Sequence, residues 1–120
     1  MQRDLDLIRK IILAVEDLST GSVNDSLEVE NYNREQIGYH SYLIIDSGLA
    51  YGIDCTFLED TSPIWRIQRL TSAGHDFADS ARNDTNWNNA KEIIKDGGGA
   101  TLGIVKDILA SIIKKTIGLE

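Results

Sequence analysis

Six side chains stand where they could meet a partner. Arg34, Gln36, Tyr39 and Tyr42 fall on one side of a predicted helix, and Arg66 and Arg69 on a predicted strand. Arg and Gln can reach phosphates or base edges, while tyrosine serves a DNA groove or a protein interface equally well. Other reactive groups are sparse. His40 and His75 are the two histidines. As a pair they could move protons, but nothing in the sequence places them together. Each is expected in a structural role, His40 hydrogen-bonded on a helix flank and His75 near the base of a hairpin. Cys55 is the lone cysteine. It alternates with apolar residues, has no base nearby in sequence, and reads as a small core residue. A disulfide framework is excluded, and zinc-ligand spacing is absent. Asp76, Asp79 and Asp84 read as solvated helix-face carboxylates. Gly97-Gly98-Gly99 has neither the preceding strand nor the following lysine of a phosphate loop, so it reads as a linker. No cofactor, no metal and no enzymatic reaction is expected.

The elements that must hold these residues are legible from periodicity. Residues 3–18 repeat Leu5, Ile8, Ile12 and Val15 at helical spacing, with Ile11 and Leu18 widening the stripe, and Gly21 is the expected breaker. Residues 22–32 alternate weakly at Leu27 and Val29, which predicts a short edge strand or an extended segment. Asn33 with Gln36 three residues on predicts a capped helix running to about Ser47. Its inward face is expected to carry Ile37, His40, Ser41, Ile44 and Ile45, leaving Arg34, Gly38, Tyr39, Tyr42 and Asp46 outward. Gly48-Leu49 stops this helix and feeds a strand in which Leu49, Tyr51, Ile53, Cys55 and Phe57 form the expected buried face. Residues 58–63 make a turn, with Glu59 and Asp60 at the tip, and Ile64–Leu70 return as the second strand. Thr71 caps a helix to about Arg82, Trp87–Lys95 forms another, and Thr101 caps a last one to about Ile117. Trp65 and Trp87 are expected as core or interface anchors.

Composition limits the partners. The chain has 120 residues, 42% of them apolar, enough for one core. No apolar run approaches the roughly 20 residues of a membrane span, and no signal peptide is read, so a soluble cytoplasmic protein without membrane contact is expected. Net charge is −7. Residues 1–56 hold 4 basic and 10 acidic side chains, whereas 57–120 hold 8 and 9. Phosphate is held by Lys and Arg, so the half carrying Arg34, Gln36, Tyr39 and Tyr42 is the less favourable one for nucleic acid.

Two short stretches resemble known regulators. Tyr39-His40-Ser41, then Ile44, then Gly48-Leu49 resembles the end of the recognition helix in bacterial winged helix-turn-helix proteins of the MarR and PadR kind, although Ser41 stands where those families usually carry leucine. Leu70-Thr71 with Gly74-His75 resembles the start of their helix after the wing. Over nearly the whole chain, the segments RDLDLIRKIILAVE, IGYHSYLIIDSGLAYG and RLTSAGHDFADSARNDTNWNNAKE, with the final apolar helix, resemble a family of small bacterial and phage-associated proteins of unknown function. The resemblance implies an α+β fold: a winged helix-turn-helix-like domain over 1–82 with a β-hairpin wing, and a C-terminal helical extension over 83–120. It implies no activity.

Two functions are therefore expected. One is a DNA-binding transcription regulator, with Arg34, Gln36, Tyr39 and Tyr42 facing the major groove of double-stranded DNA and Arg66 and Arg69 touching backbone from the wing. The other is a winged-helix module that binds a protein partner, for example a phage-encoded modulator of a host protein. The stripe Leu102, Val105, Leu109 and Ile112 on the last helix must be covered, either by the domain or by a second copy, and a homodimer through that helix is expected.

Overall fold

The computed structural model describes residues 1–18, 27–96 and 101–118. The breaker expected at Gly21, residues 22–26 of the expected edge strand, and the linker Gly97–Gly99 lie outside these. In order, the elements are α1 (Leu5–Glu16), α2 (Arg34–Asp46), β1 (Ala50–Asp54), β2 (Trp65–Leu70), α3 (Ser72–Ala81), α4 (Asp84–Asp96) and α5 (Leu102–Thr116). The class is α+β, five helices with one antiparallel two-stranded hairpin among the described residues. Two compact units form, Met1–His75 and Asp76–Glu120, and the division falls inside α3.

In the first unit α1 begins at Asp4, whose carboxylate accepts the Leu7 N–H at 3.1 Å. It buries Leu7, Ile8, Ile11, Ile12 and Val15 while packing on α2 and β2. Each such side chain contributes about 1.5–3 kcal/mol of transfer free energy. Leu18 lies beyond the helix end and is exposed, so it takes no part in the stripe. Among residues 27–32 no strand is present, and the Tyr32 N–H donates to the Val29 carbonyl across a turn with Asn31 at φ 72.

The α2 boundaries follow their local signals. Asn33 accepts the Gln36 N–H at 2.8 Å, and the Gln36 side chain accepts the Asn33 N–H at 2.9 Å, a reciprocal capping box. At the other end Gly48 has φ +80, its N–H donates to the Ile45 carbonyl, and the Leu49 N–H donates to that of Ile44. This is a Schellman ending, and its apolar pair, Ile44 and Leu49, is buried.

The hairpin pairs Ala50 with Leu70, Tyr51 with Arg69, Gly52 with Ile67, Ile53 with Arg66 and Asp54 with Trp65. Gln68 is the extra residue, a bulge that re-phases β2 so that Ile67 and Leu70 both face inward. Of the expected buried face, Leu49 is buried and Cys55 half-buried, but the strand itself turns the other way. Tyr51 and Ile53 are half exposed, whereas Ala50 is buried. The cause is the nearness of α2. A Cβ at Gly52 would lie 2.2 Å from Ile45 Cδ1 and 2.5 Å from the Arg66 carbonyl oxygen. Only small residues fit the inward side of this strand, and the large ones are turned out.

Thr71 joins three elements. Its hydroxyl donates to the Gly48 carbonyl at 2.8 Å and accepts the Gly74 N–H at 3.1 Å, and its own N–H donates to the Leu49 carbonyl. The end of α2, the base of the hairpin and the start of α3 are thereby tied together.

In the second unit, Asn83 accepts the Asn86 N–H, so α4 starts at Asp84, three residues before the expected start. Trp87 is buried with its ring edge-on to Phe77 at 6.3 Å. Thr101 caps α5 through the Ile104 N–H. Leu102, Val105 and Leu109 are buried within the chain, and α5 packs on α4. Of the stripe expected to be covered by the domain or by a second copy, these three residues are buried within the chain and Ile112 is half-buried.

Candidate interaction surface

The residues expected to read a partner are largely engaged by the fold itself. Arg34 lies 3.5 Å from Asp60, and its guanidinium sits 5.6 Å from the Phe57 ring centre. Asp60 also accepts the Phe57 N–H at 2.7 Å, so this carboxylate closes the hairpin tip rather than projecting from it. Gln36 is held in the capping box. Tyr39 and Tyr42 are half-buried in a row of rings, Tyr39 to Tyr42 at 6.0 Å and Tyr42 to Trp65 at 5.9 Å. Gly38, expected outward, is buried against Ile64, where a Cβ would come within 2.6 Å of the Ile64 side chain. Arg66 and Arg69 are exposed and lie opposite Ile53 and Tyr51, with Arg69 stacked 4.4 Å over the Tyr51 ring.

The two histidines do separate work. His40 is buried, accepts the Asp4 N–H on Nε2 at 2.8 Å, and has Nδ1 2.7 Å from the Gln36 carbonyl oxygen. One contact needs an acceptor and the other a donor, which places the proton on Nδ1. This is the structural role expected. His75 is exposed and meets Glu16 at 3.2 Å. Among the described residues no group of three or more His, Cys, Asp or Glu side chains could hold a metal ion, and no helix is long and apolar enough to cross a membrane.

Asp4 also accepts the Tyr32 hydroxyl at 2.8 Å. That hydrogen bond is the largest cause raising the Tyr32 phenol above its ordinary value, with burial and the charges of Asp4 and Asp6 adding to it. The fold thus favours neutral Tyr32. Its stabilisation is complete below the ordinary phenol value of about 10 and is lost as pH rises beyond it. Urea titrations of wild type and Tyr32→Phe should show a wild-type advantage of about 1 kcal/mol at neutral pH. That advantage should shrink above about pH 10. A gap that stays constant on the alkaline side would contradict this.

Sequence patterns gave no sign of a groove of about 900 Å³ in the first unit. It is lined by Arg34, Ile37, Gly38 and Ser41 of α2 and by Ile64, Trp65, Arg66 and Ile67. Leu27, Glu28, Val29 and Glu30 line it as well, with Tyr32, Cys55 and Phe57. Cys55 is half-buried there rather than sealed in a core. The one local pattern there is the alternation of Leu27 and Val29 with Glu28 and Glu30, which fits an edge strand or extended segment just as well.

Residues 2–100 match a family described as Hypothetical protein (DUF2513). An uncharacterized protein of Haemophilus influenzae is 35% identical over 121 residues, covering 98% of this chain and 99% of the relative. No solved structure matches.

Proposed function

This chain belongs to the DUF2513 family, and we propose that it is a protein-interaction module built on a winged-helix-like unit. The order α1, α2, hairpin, α3 supports the winged-helix reading, with α2 in the recognition position and the hairpin as wing. The observation that carries the interaction reading is the groove beside α2, whose lining combines Ile37, Trp65 and Phe57 with Glu28, Glu30, Arg34 and Arg66. Concave surface that mixes apolar and polar groups suits a protein segment. Engagement of Arg34 by Asp60 and of Gln36 by the cap of α2 points the same way.

The test is affinity capture with the full chain under nuclease treatment, alongside an Ile37→Trp variant that fills the groove. A stoichiometric protein partner that survives nuclease and is lost with Ile37→Trp is expected. Capture that depends on nucleic acid would overturn the proposal.

A second reading, a DNA-binding transcription regulator, is favoured by the outer face of the hairpin, where Arg66, Gln68 and Arg69 are all exposed. In it these arginines contact backbone while Arg34, Gln36, Tyr39 and Tyr42 enter the major groove. Fluorescence titration against pooled duplex fragments near about 50 mM salt decides it, because phosphate-driven affinity is strongest at low salt. No binding at roughly tens of micromolar there would exclude this reading.

A further inference from the structure

We infer that the open edge of β1 pairs with the same edge of a second copy of this chain, in a register centred on Ile53. Residues Ala50–Asp54 take no part in lining the groove. A failure at this edge therefore leaves the interaction reading untouched.

The phase of the hairpin decides which backbone groups are unused. The Thr71 N–H donates to the Leu49 carbonyl, and the Cys55 N–H to that of Ile64. Backbone direction alternates along a strand, and the extra residue lies in β2. Leu49, Tyr51, Ile53 and Cys55 therefore turn their N–H and carbonyl groups toward β2. Ala50, Gly52 and Asp54 turn theirs away, and among the described residues no strand lies on that side. Proline, lysine and bulges usually blunt such an edge, and β1 holds none of them. The helices sit toward the other side: α1 packs on β2, and α2 packs more on β2 than on β1.

The usable edge is short and bounded. Ala50 is 4% exposed, which shuts it at one end. At the other end the Thr56 N–H is held by the Asp54 carboxylate at 2.9 Å. Gly52 and Asp54 remain, each with one N–H and one carbonyl.

A second copy matches these groups with its own. In an antiparallel pairing, Gly52 of each copy exchanges both hydrogen bonds with Asp54 of the other, about four bonds in all. That register sets the two Ile53 side chains directly opposite, at a position between bonded pairs where side chains approach closest. Ile53 is 49% exposed in the single chain, and the pairing covers it with a β-branched partner. Asp54 faces Gly52 of the other copy, so no charge stands directly opposite another. A shift of the register calls on Ala50, which is buried, or on Thr56, whose N–H is engaged.

The experiment is sedimentation equilibrium of the full chain. Net charge of −7 opposes association, so it is run near about 0.3 M salt, where exposed charges beyond roughly 8 Å are screened. A reversible dimer with Kd on the order of tens of micromolar is expected, because so short an edge buries little area. Register is read by mild oxidation in a Cys55→Ser background. Ile53→Cys should give a disulfide-linked dimer, since facing Cα atoms in such a pair lie about 4.5 Å apart. Tyr51→Cys, with its two copies about 14 Å apart, should link at least about tenfold more slowly. Asp54→Pro removes an edge donor without touching the ladder to β2, and should raise Kd at least about tenfold. Asp54→Ala loses the same carboxylate and should keep the dimer.

A chain that stays monomeric to roughly 500 µM would overturn the pairing, even if its edge then accepts a strand from another protein. Equal linking rates in the two thiol variants would overturn it too. So would a dimer indifferent to Asp54→Pro, which would point to another face such as α5. If Asp54→Pro does not fold by circular dichroism, the two thiol variants decide alone.

Discussion

Alanine in place of Gly74 is expected to destabilise the first unit by about 3 kcal/mol or more, enough to leave much of a marginally stable chain unfolded. Inside a helix this substitution ordinarily stabilises, by about 1 kcal/mol. Here the sign reverses because the added Cβ would lie 1.9 Å from the Leu49 carbonyl oxygen and 3.0 Å from its carbon. Both are backbone atoms, and they cannot move cheaply. The Leu49 carbonyl accepts the Thr71 N–H, and the adjacent Gly48 carbonyl accepts the Thr71 hydroxyl. Relief of the clash must therefore open the junction between the end of α2, the hairpin and α3. Gly103, in α5, is the internal control, since a Cβ there finds nothing nearer than Thr101 Oγ1 at 3.7 Å. Gly103→Ala should stabilise by about 0.5–1 kcal/mol. Urea midpoints of the two variants, moving in opposite directions with unchanged slopes, check the pair. A Gly74→Ala midpoint at or above wild type would show that the junction yields.

His40→Ala is expected to cost about 3 kcal/mol, combining a cavity with a stranded donor. His40 links α2 to the first residues of α1 across 36 positions of sequence. Removal of the ring leaves the Asp4 N–H without its acceptor at the very residue that caps α1 and receives Tyr32. His40→Phe separates the two contributions. It restores most of the volume but no acceptor, so a loss of about 1–3 kcal/mol should remain. The expected stability order is wild type, then His40→Phe, then His40→Ala. Equality of wild type and His40→Phe would assign the whole effect to packing.

The central feature legible in sequence was the capped helix running into the hairpin. Asn33 and Gln36, Gly48-Leu49, and Thr71 and Thr101 as caps each act on near neighbours in sequence, and each bounds its helix where its chemistry requires. The partner-facing surface was far less legible. Arg34, Gln36, Tyr39 and Tyr42 were placed outward because helical spacing leaves them opposite the apolar residues. Spacing carries no information on Asp60, which lies 26 residues beyond Arg34 and pairs with it. Nor does it report Trp65, which extends the tyrosine row. The reversed face of β1 has the same origin. Alternation of Tyr51 and Ile53 with Ala50 and Gly52 places two residues on each side of the strand but does not say which side the helix will cover.

By itself, then, the sequence determined the number and limits of most described helices, the hairpin, the structural part played by His40, and an acidic charge balance. Those follow from residue type and from contacts between near neighbours, which any local stretch carries with it. The tertiary structure decided which faces remain open. It set Arg34 near Asp60 and Gln36 in the cap of α2, buried Leu102, Val105 and Leu109 within the chain, and left a groove lined by α2, β2 and residues 27–30. Burial is set by whatever packs on a face from tens of residues away, and a cavity exists only where two such surfaces fail to close.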